Sequence, residues 1–148
     1  MADDREAILA FWAEHRQQLR QSEDQRAILT NYLLAITAGL SGLVIAQKFA
    51  LPTLPAAILI TLLGLYGALA VAKYHERASY HLRQARALMQ ALKDIGALAD
   101  NPHLEEQRRQ HYARHPRLHK VRLHWLWTSL HVGNAIFGLA LAIVVVSK

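Results

Sequence analysis

Cysteine is absent from the 148 residues. That excludes a disulfide framework, a thiol nucleophile and a Cys-ligated zinc site. Helix breakers are scarce where they would matter most. Between Lys73 and Leu98 there is no proline, and Gly96 is the only glycine. Three long stretches lack Lys, Arg, Asp and Glu altogether: Ala27 to Ala46, Leu54 to Ala72 and Trp125 to Val146. Each holds 19 to 22 residues, the length a helix needs to cross a hydrocarbon layer of about 30 Å. The chain therefore reads as a membrane protein with three spans.

Hydrophobic residues make up 53% of the chain, yet mean hydropathy is only +0.08. A greasy half must be joined to a strongly polar half. The N-terminal segment places acids before any apolar run and offers no small-residue cleavage site, so it does not read as a signal peptide. The first span would act as its own uncleaved insertion signal.

Basic residues set the expected orientation. Residues 1–26 hold Arg5, Arg16, Arg20 and Arg26. The short connection between spans one and two holds only Lys48. Residues 73–124 hold eleven basic and five acidic residues, and the C-terminus adds only Lys148. The positive-inside rule then puts the N-terminus and residues 73–124 in the cytoplasm, and the 47–53 turn and the C-terminus outside. The basic excess of residues 73–124 reads as topology and as attraction to anionic lipid headgroups. No RNA- or DNA-binding motif accompanies it, so nucleic acid is not an expected partner.

Along the chain, Ile8, Trp12, His15 and Leu19, with Phe11 beside them, predict an amphipathic helix over residues 3–20. It could lie in the headgroup plane or pack on a second helix. Ser22 and Gln25 have capping-box spacing, predicting a fresh helix start before the first span. Pro52 and Pro55 predict a second helix beginning near Leu54, forming an antiparallel hairpin with the first. That helix is predicted to run on to Leu98, about 67 Å in all, with the part beyond the bilayer standing as a stalk. Ala78, Leu82, Ala85, Met89 and Leu92 recur at heptad-like spacing, predicting a packing stripe against residues 3–20 or a second protomer. Asp100-Asn101-Pro102 should stop it. Asn101 should then cap a short helix opened by Pro102, with Glu105 and Glu106 near its positive end. Pro116 should interrupt that helix. Trp125 and Trp127, with Tyr74, are expected as membrane-interface anchors.

Few residues suggest chemistry. His111, His115 and His119 are four apart, but Pro116 breaks their register and no suitable Cys, Asp or Glu completes a ligand set. His75 and His81 lie just beyond span two and read as packing or headgroup contacts. No metal site and no cofactor is expected. His131 and Asn134 lie one turn apart within span three. They read either as interhelical hydrogen bonds to Thr30, Asn31, Thr37 or Ser41, or, with Asn31, as the lining of a pore or protonation site. Small-xxx-small pairs recur at Ala35/Gly39, Ala38/Gly42, Gly64/Ala68 and Gly138/Ala142. They could pack the hairpin or build a homo-oligomer. No Ser/His/Asp set, phosphate loop, HExxH or paired catalytic carboxylates is present, and the chain reads as a non-enzyme.

Residues 12–98 resemble the SLATT-type membrane proteins of bacteria. The resemblance lies in the tight hairpin, LLAITAGLSGLVIA to LLGLYGALAVA, followed at once by KYHERASYHLRQARALMQAL. That family has two spans, and the third span here is additional to its pattern. The resemblance implies an anti-phage effector that oligomerises and breaches the inner membrane when a cytoplasmic sensor or nucleotide-signalling partner responds.

These readings combine into one expectation. The protein is all-α, an integral membrane protein with three transmembrane helices and a long cytoplasmic extension of the second. Its parts are an N-terminal amphipathic helix (1–26), a transmembrane hairpin (27–72), a basic cytoplasmic segment (73–124) and a third transmembrane helix (125–148). The expected function is a pore-forming or membrane-perturbing effector of the bacterial inner membrane. A non-conducting anchor or adaptor, and a small channel or transporter subunit, are the alternatives.

Overall fold

A computed structural model describes residues 2–99 and 101–148; the Asp100 part of the expected helix stop lies outside them. Four helices carry the chain: α1 (Ala2–Ala46), α2 (Leu54–Asp94), α3 (Pro102–Arg114) and α4 (Leu123–Ser147). Two 3₁₀ turns, Leu51–Thr53 and Leu118–Lys120, complete the regular structure. The described residues contain no strand, and the fold is all-α.

Three of these helices, α1, α2 and α4, are long and apolar enough to cross a membrane. Their most apolar windows bury only 28%, 28% and 33% of their residues within the fold. The rest present Ile36, Leu43, Leu62, Leu69, Leu139 and Ile143 outward. Water would not tolerate so continuous an apolar exterior. Lipid requires it, and the helices satisfy their own backbone groups. The protein is a multi-pass membrane protein.

The chain divides into two compact units. One comprises Met1–Ser22 and Glu76–Leu123; the other comprises Glu23–His75 and His124–Lys148.

In the second unit, parts of α1, α2 and α4 pack around Ala57, Ile60 and Leu141, with Leu40, Phe49 and Ala142 against them. Close approach depends on glycine. A Cβ on Gly138 would lie 2.7 Å from Thr61 Oγ1 and 2.9 Å from the Ile60 carbonyl carbon. One on Gly64 would lie 2.6 Å from Ala135 Cα and 2.8 Å from its Cβ. Thus Gly64 and Gly138 serve packing within the chain. By contrast, nothing lies within 4 Å of a Cβ built on Gly39 or Gly42, and Ala35 and Ala38 are also exposed. The small residues of α1 face outward.

The hairpin turn closes as a Schellman-type end. Phe49 N–H donates to Val44 O at 3.0 Å and Lys48 N–H to Ile45 O at 2.9 Å. Lys48 and Phe49 occupy the left-handed region, at φ 51° and 59°. Their positions are held from the other end of the chain: Lys148 Nζ lies 5.1 Å from the Phe49 ring centroid and donates to Lys48 O at 3.4 Å. As expected from Pro52 and Pro55, α2 starts at Leu54.

In the first unit, α1 and α2 pair. Arg77 Nη2 donates to Gln18 Oε1 at 3.0 Å, and His15 meets His81. Ala78, Ala85 and Leu92 are buried, with Leu82 and Met89 half-buried beside them. The predicted stripe is a packing surface, and its partner lies in the same chain. On α1, Ile8, Trp12, His15 and Leu19 are half-buried, but Phe11 is exposed.

Two expected boundaries are corrected. The Ser22-Gln25 pair does not start a helix: α1 runs through it, and Ser22 Oγ donates back to Gln18 O at 2.9 Å. A hydroxyl can bond one turn back inside a continuous helix as readily as it caps a new one. Helix α2 ends at Asp94, not Leu98. Gly96, at φ 70°, lets the chain fold back, so that Ala97 N–H donates to Leu92 O at 2.9 Å and Gly96 N–H to Lys93 O at 2.9 Å. In α3, Asn101 caps as its spacing predicts, accepting from His103 N–H at 3.0 Å. No residue of α3 is buried.

Candidate polar site inside the membrane bundle

The buried face of α1 within the membrane-facing unit is unusually polar. Arg26, Thr30, Leu33, Thr37, Ser41 and Val44 recur at three- and four-residue spacing, and all are buried. This pattern inverts a water-soluble helix: apolar residues face outward, and polar ones face the other helices. In lipid a polar side chain has no alternative partner, so it turns inward.

The polar groups of α4 meet that face. His131 is fully buried, and its Nε2 lies 3.1 Å from Thr30 Oγ1. Two turns further along α1, Asn134 Nδ2 donates to Thr37 Oγ1 at 3.0 Å. The Thr37 carbonyl accepts in turn from Ser41 Oγ at 2.7 Å. Two of the four anticipated α1 residues thus serve as partners. Ser41 instead bonds its own helix, and Asn31 is exposed. Asn31 therefore does not join His131 and Asn134. One residue along a helix is a rotation of about 100°, so Thr30 and Asn31 cannot both face the bundle.

Gly67 of α2 makes room for the imidazole. A Cβ there would run into Nδ1 and lie 2.8 Å from both Cε1 and Cγ of His131. Nδ1 has no hydrogen-bond partner among the described residues. The ring is held on one side by a hydroxyl and on the other by bare backbone.

Nearer the polar end of the bundle, Arg26 is buried with its guanidinium 5.2 Å from the Trp127 ring centroid. Trp127 is half-buried, whereas Trp125 is exposed. Tyr74 is half-buried. His75 and His124 stack nearly parallel, with centroids 4.0 Å apart. Arg26 counted in the sequence only as a flanking charge. Its signal was its four-residue spacing from Thr30, which places both on one face.

In the other unit, His15 Nδ1 and His81 Nδ1 are 3.0 Å apart, so one ring donates and the other accepts. Tyr80 packs edge-on against both rings. Burial, then the neighbouring His15 and Arg77, push the His81 pKa below its usual 6.5, with Glu14 opposing. Folded His81 thus binds a proton less readily than the unfolded chain does. Stability from this contact is complete above about pH 6.5 and falls as pH drops through that value toward the folded pKa. We expect the melting temperature to decline from about pH 7.5 to about pH 5.5, and His81→Gln to flatten that decline. An unchanged slope in the variant would remove His81 as its source.

His111 and His115 rings lie 5.0 Å apart on α3, while His119 falls in the following 3₁₀ turn and packs on Tyr112 at 5.3 Å. The break follows Arg114, where Pro116 placed it. Among the described residues no three His, Asp or Glu side chains converge to hold a metal ion. No protein-family model, curated protein or solved structure matches this chain.

Proposed function

We propose that this chain is a small effector of the bacterial inner membrane that self-associates and perturbs the bilayer, in anti-phage defence. Residues 73–124 would engage a cytoplasmic sensor or nucleotide-signalling partner, and their basic excess would hold anionic headgroups. The observation that carries this reading is the outward face of α1. Asn31, Ala35, Ala38, Gly39 and Gly42 are all exposed there, and both glycines face open space. An amide at hydrocarbon depth has no lipid partner, and small residues permit close helix approach. A second copy offers both an amide and a matching smooth face.

A non-conducting anchor or adaptor is the second reading. It is favoured by the closure of His131 and Asn134 onto Thr30 and Thr37, which commits those groups to packing. On the effector reading, conduction would run between protomers, so the polar lining expected at His131 and Asn134 would have to come from elsewhere.

Dye leakage per folded protein in induced cells separates the two. Asn31→Leu combined with Gly39→Leu should abolish self-association and leakage at unchanged protein level. His131→Leu should lower the amount of folded protein while leaving leakage per folded protein unaltered. Leakage that survives the α1 double substitution would remove the α1 face as the self-association surface, and a wild-type chain that never leaks would overturn the effector reading in favour of the anchor. For orientation, a reporter near Asn101 should be active in the cytoplasm and one after Lys148 outside, by the positive-inside rule. The opposite pattern would reverse the topology.

A further inference from the structure

We propose that Arg26 and Trp127 form a phosphate site at the membrane boundary, filled by the headgroup of an acidic phospholipid. This rests on the membrane placement of α1 and α4 and sharpens the headgroup contact of the proposed function, without depending on leakage.

Arg26 is only 6% exposed. Its Nε, and the Trp127 Nε1 beneath the guanidinium, are buried donors with no hydrogen-bond partner among the described residues. Among the described residues no carboxylate pairs with Arg26; two arginine–carboxylate pairs, Arg108–Glu105 and Arg109–Glu106, lie on α3. A buried cation without a counter-charge is costly. The ring face offsets part of that cost by cation–π attraction, but it accepts no N–H···O bond. His124, one turn before Trp127 on α4, stacks on His75.

Two unsatisfied donors and a positive charge together call for an acceptor carrying negative charge. Arg26 is the last charged residue before the apolar stretch of α1, and Trp127 is two residues into that of α4. Both therefore lie at headgroup depth, where lipid phosphate is the most abundant anion. A guanidinium suits a phosphate because its planar fork can donate two parallel bonds. The indole N–H then supplies a third donor, after a small outward turn of the guanidinium.

Native mass spectrometry of the full chain in detergent tests this, with phosphatidylglycerol, phosphatidylcholine or inorganic phosphate added separately. The wild type should retain phosphatidylglycerol in preference to phosphatidylcholine. Arg26→Gln should weaken that retention about tenfold, the effect of losing one charge-assisted contact, with Arg26→Lys intermediate. Trp127→Phe keeps an aromatic face, though a smaller one, and removes the N–H. It should weaken retention about threefold and keeps the test decisive if Arg26→Gln fails to fold. Arg20→Gln, at an exposed arginine of α1, should change nothing. Equal loss in Arg20→Gln would assign retention to diffuse basic attraction and overturn the site. Equal retention of phosphatidylcholine, or unchanged retention in Trp127→Phe, would overturn it too. Binding of inorganic phosphate in an Arg26-dependent manner, without lipid retention, would overturn the headgroup source. A wild type that retains no phosphatidylglycerol yet still leaks dye would refute this site and spare the effector reading.

Discussion

Gly64→Val should prevent the membrane bundle from closing. The space beside Gly64 is taken by backbone, since a Cβ there falls 2.6 Å from Ala135 Cα and nearer still to its nitrogen. Side chains can rotate aside; a helix backbone cannot. α2 and α4 would have to separate, and the Gly138–Thr61 contact and the seat of His131 at Gly67 lie along the same seam. Overpacking usually costs about 1–3 kcal/mol, and this case should reach the upper end or exceed it because nothing flexible yields. Thermal unfolding in detergent, followed by loss of helical signal, measures it. Gly39→Val is the internal control. Open space surrounds Gly39, so the isolated protomer should retain its stability. Equal effects at both glycines would show that α2 and α4 do not meet at Gly64.

Leu92→Asp should have the second large effect, in the other unit. Leu92 is 4% exposed, in the seam that also buries Ala78 and Ala85. The substitution removes about 2 kcal/mol of apolar burial and adds the desolvation of a carboxylate, several kcal/mol more unless the group neutralises. The α1–α2 pair should separate, exposing residues 76–94 to protease while the membrane spans stay protected. Leu82→Asp at the half-buried position of the same stripe should cost less, because its carboxylate can reach water. If Leu92→Asp leaves protease resistance intact, the stripe is not a dry seam.

Much of this architecture was legible in the sequence because the physics behind it is local. Absence of charge over a bilayer length is a property of consecutive residues, and it located all three spans. Asn101-Pro102 capped α3, and Pro52 placed the start of α2, through backbone constraints acting within one turn. The heptad spacing from Ala78 to Leu92 revealed a packing face for the same reason. The two boundary errors came where local signals compete. Ser22 can cap or back-bond, and helix continuity on both sides decided for back-bonding. Gly96 outranked the Asn101-Pro102 signal downstream because a left-handed residue ends a helix wherever it first occurs.

Sequence by itself determined that this protein is helical, that three of its segments belong in lipid, and that His131 and Asn134 share a face. Only the tertiary structure decided which partners they find: Thr30 and Thr37, with Asn31 left outside. It alone separated Gly64 and Gly138, used within the chain, from Gly39 and Gly42, which face outward. It also turned Arg26 from a flanking charge into a buried cation over Trp127. The reason is the same in each case. Spacing fixes which residues share a face of one helix, but the rotation of that helix against its neighbours depends on contacts between residues far apart in the chain.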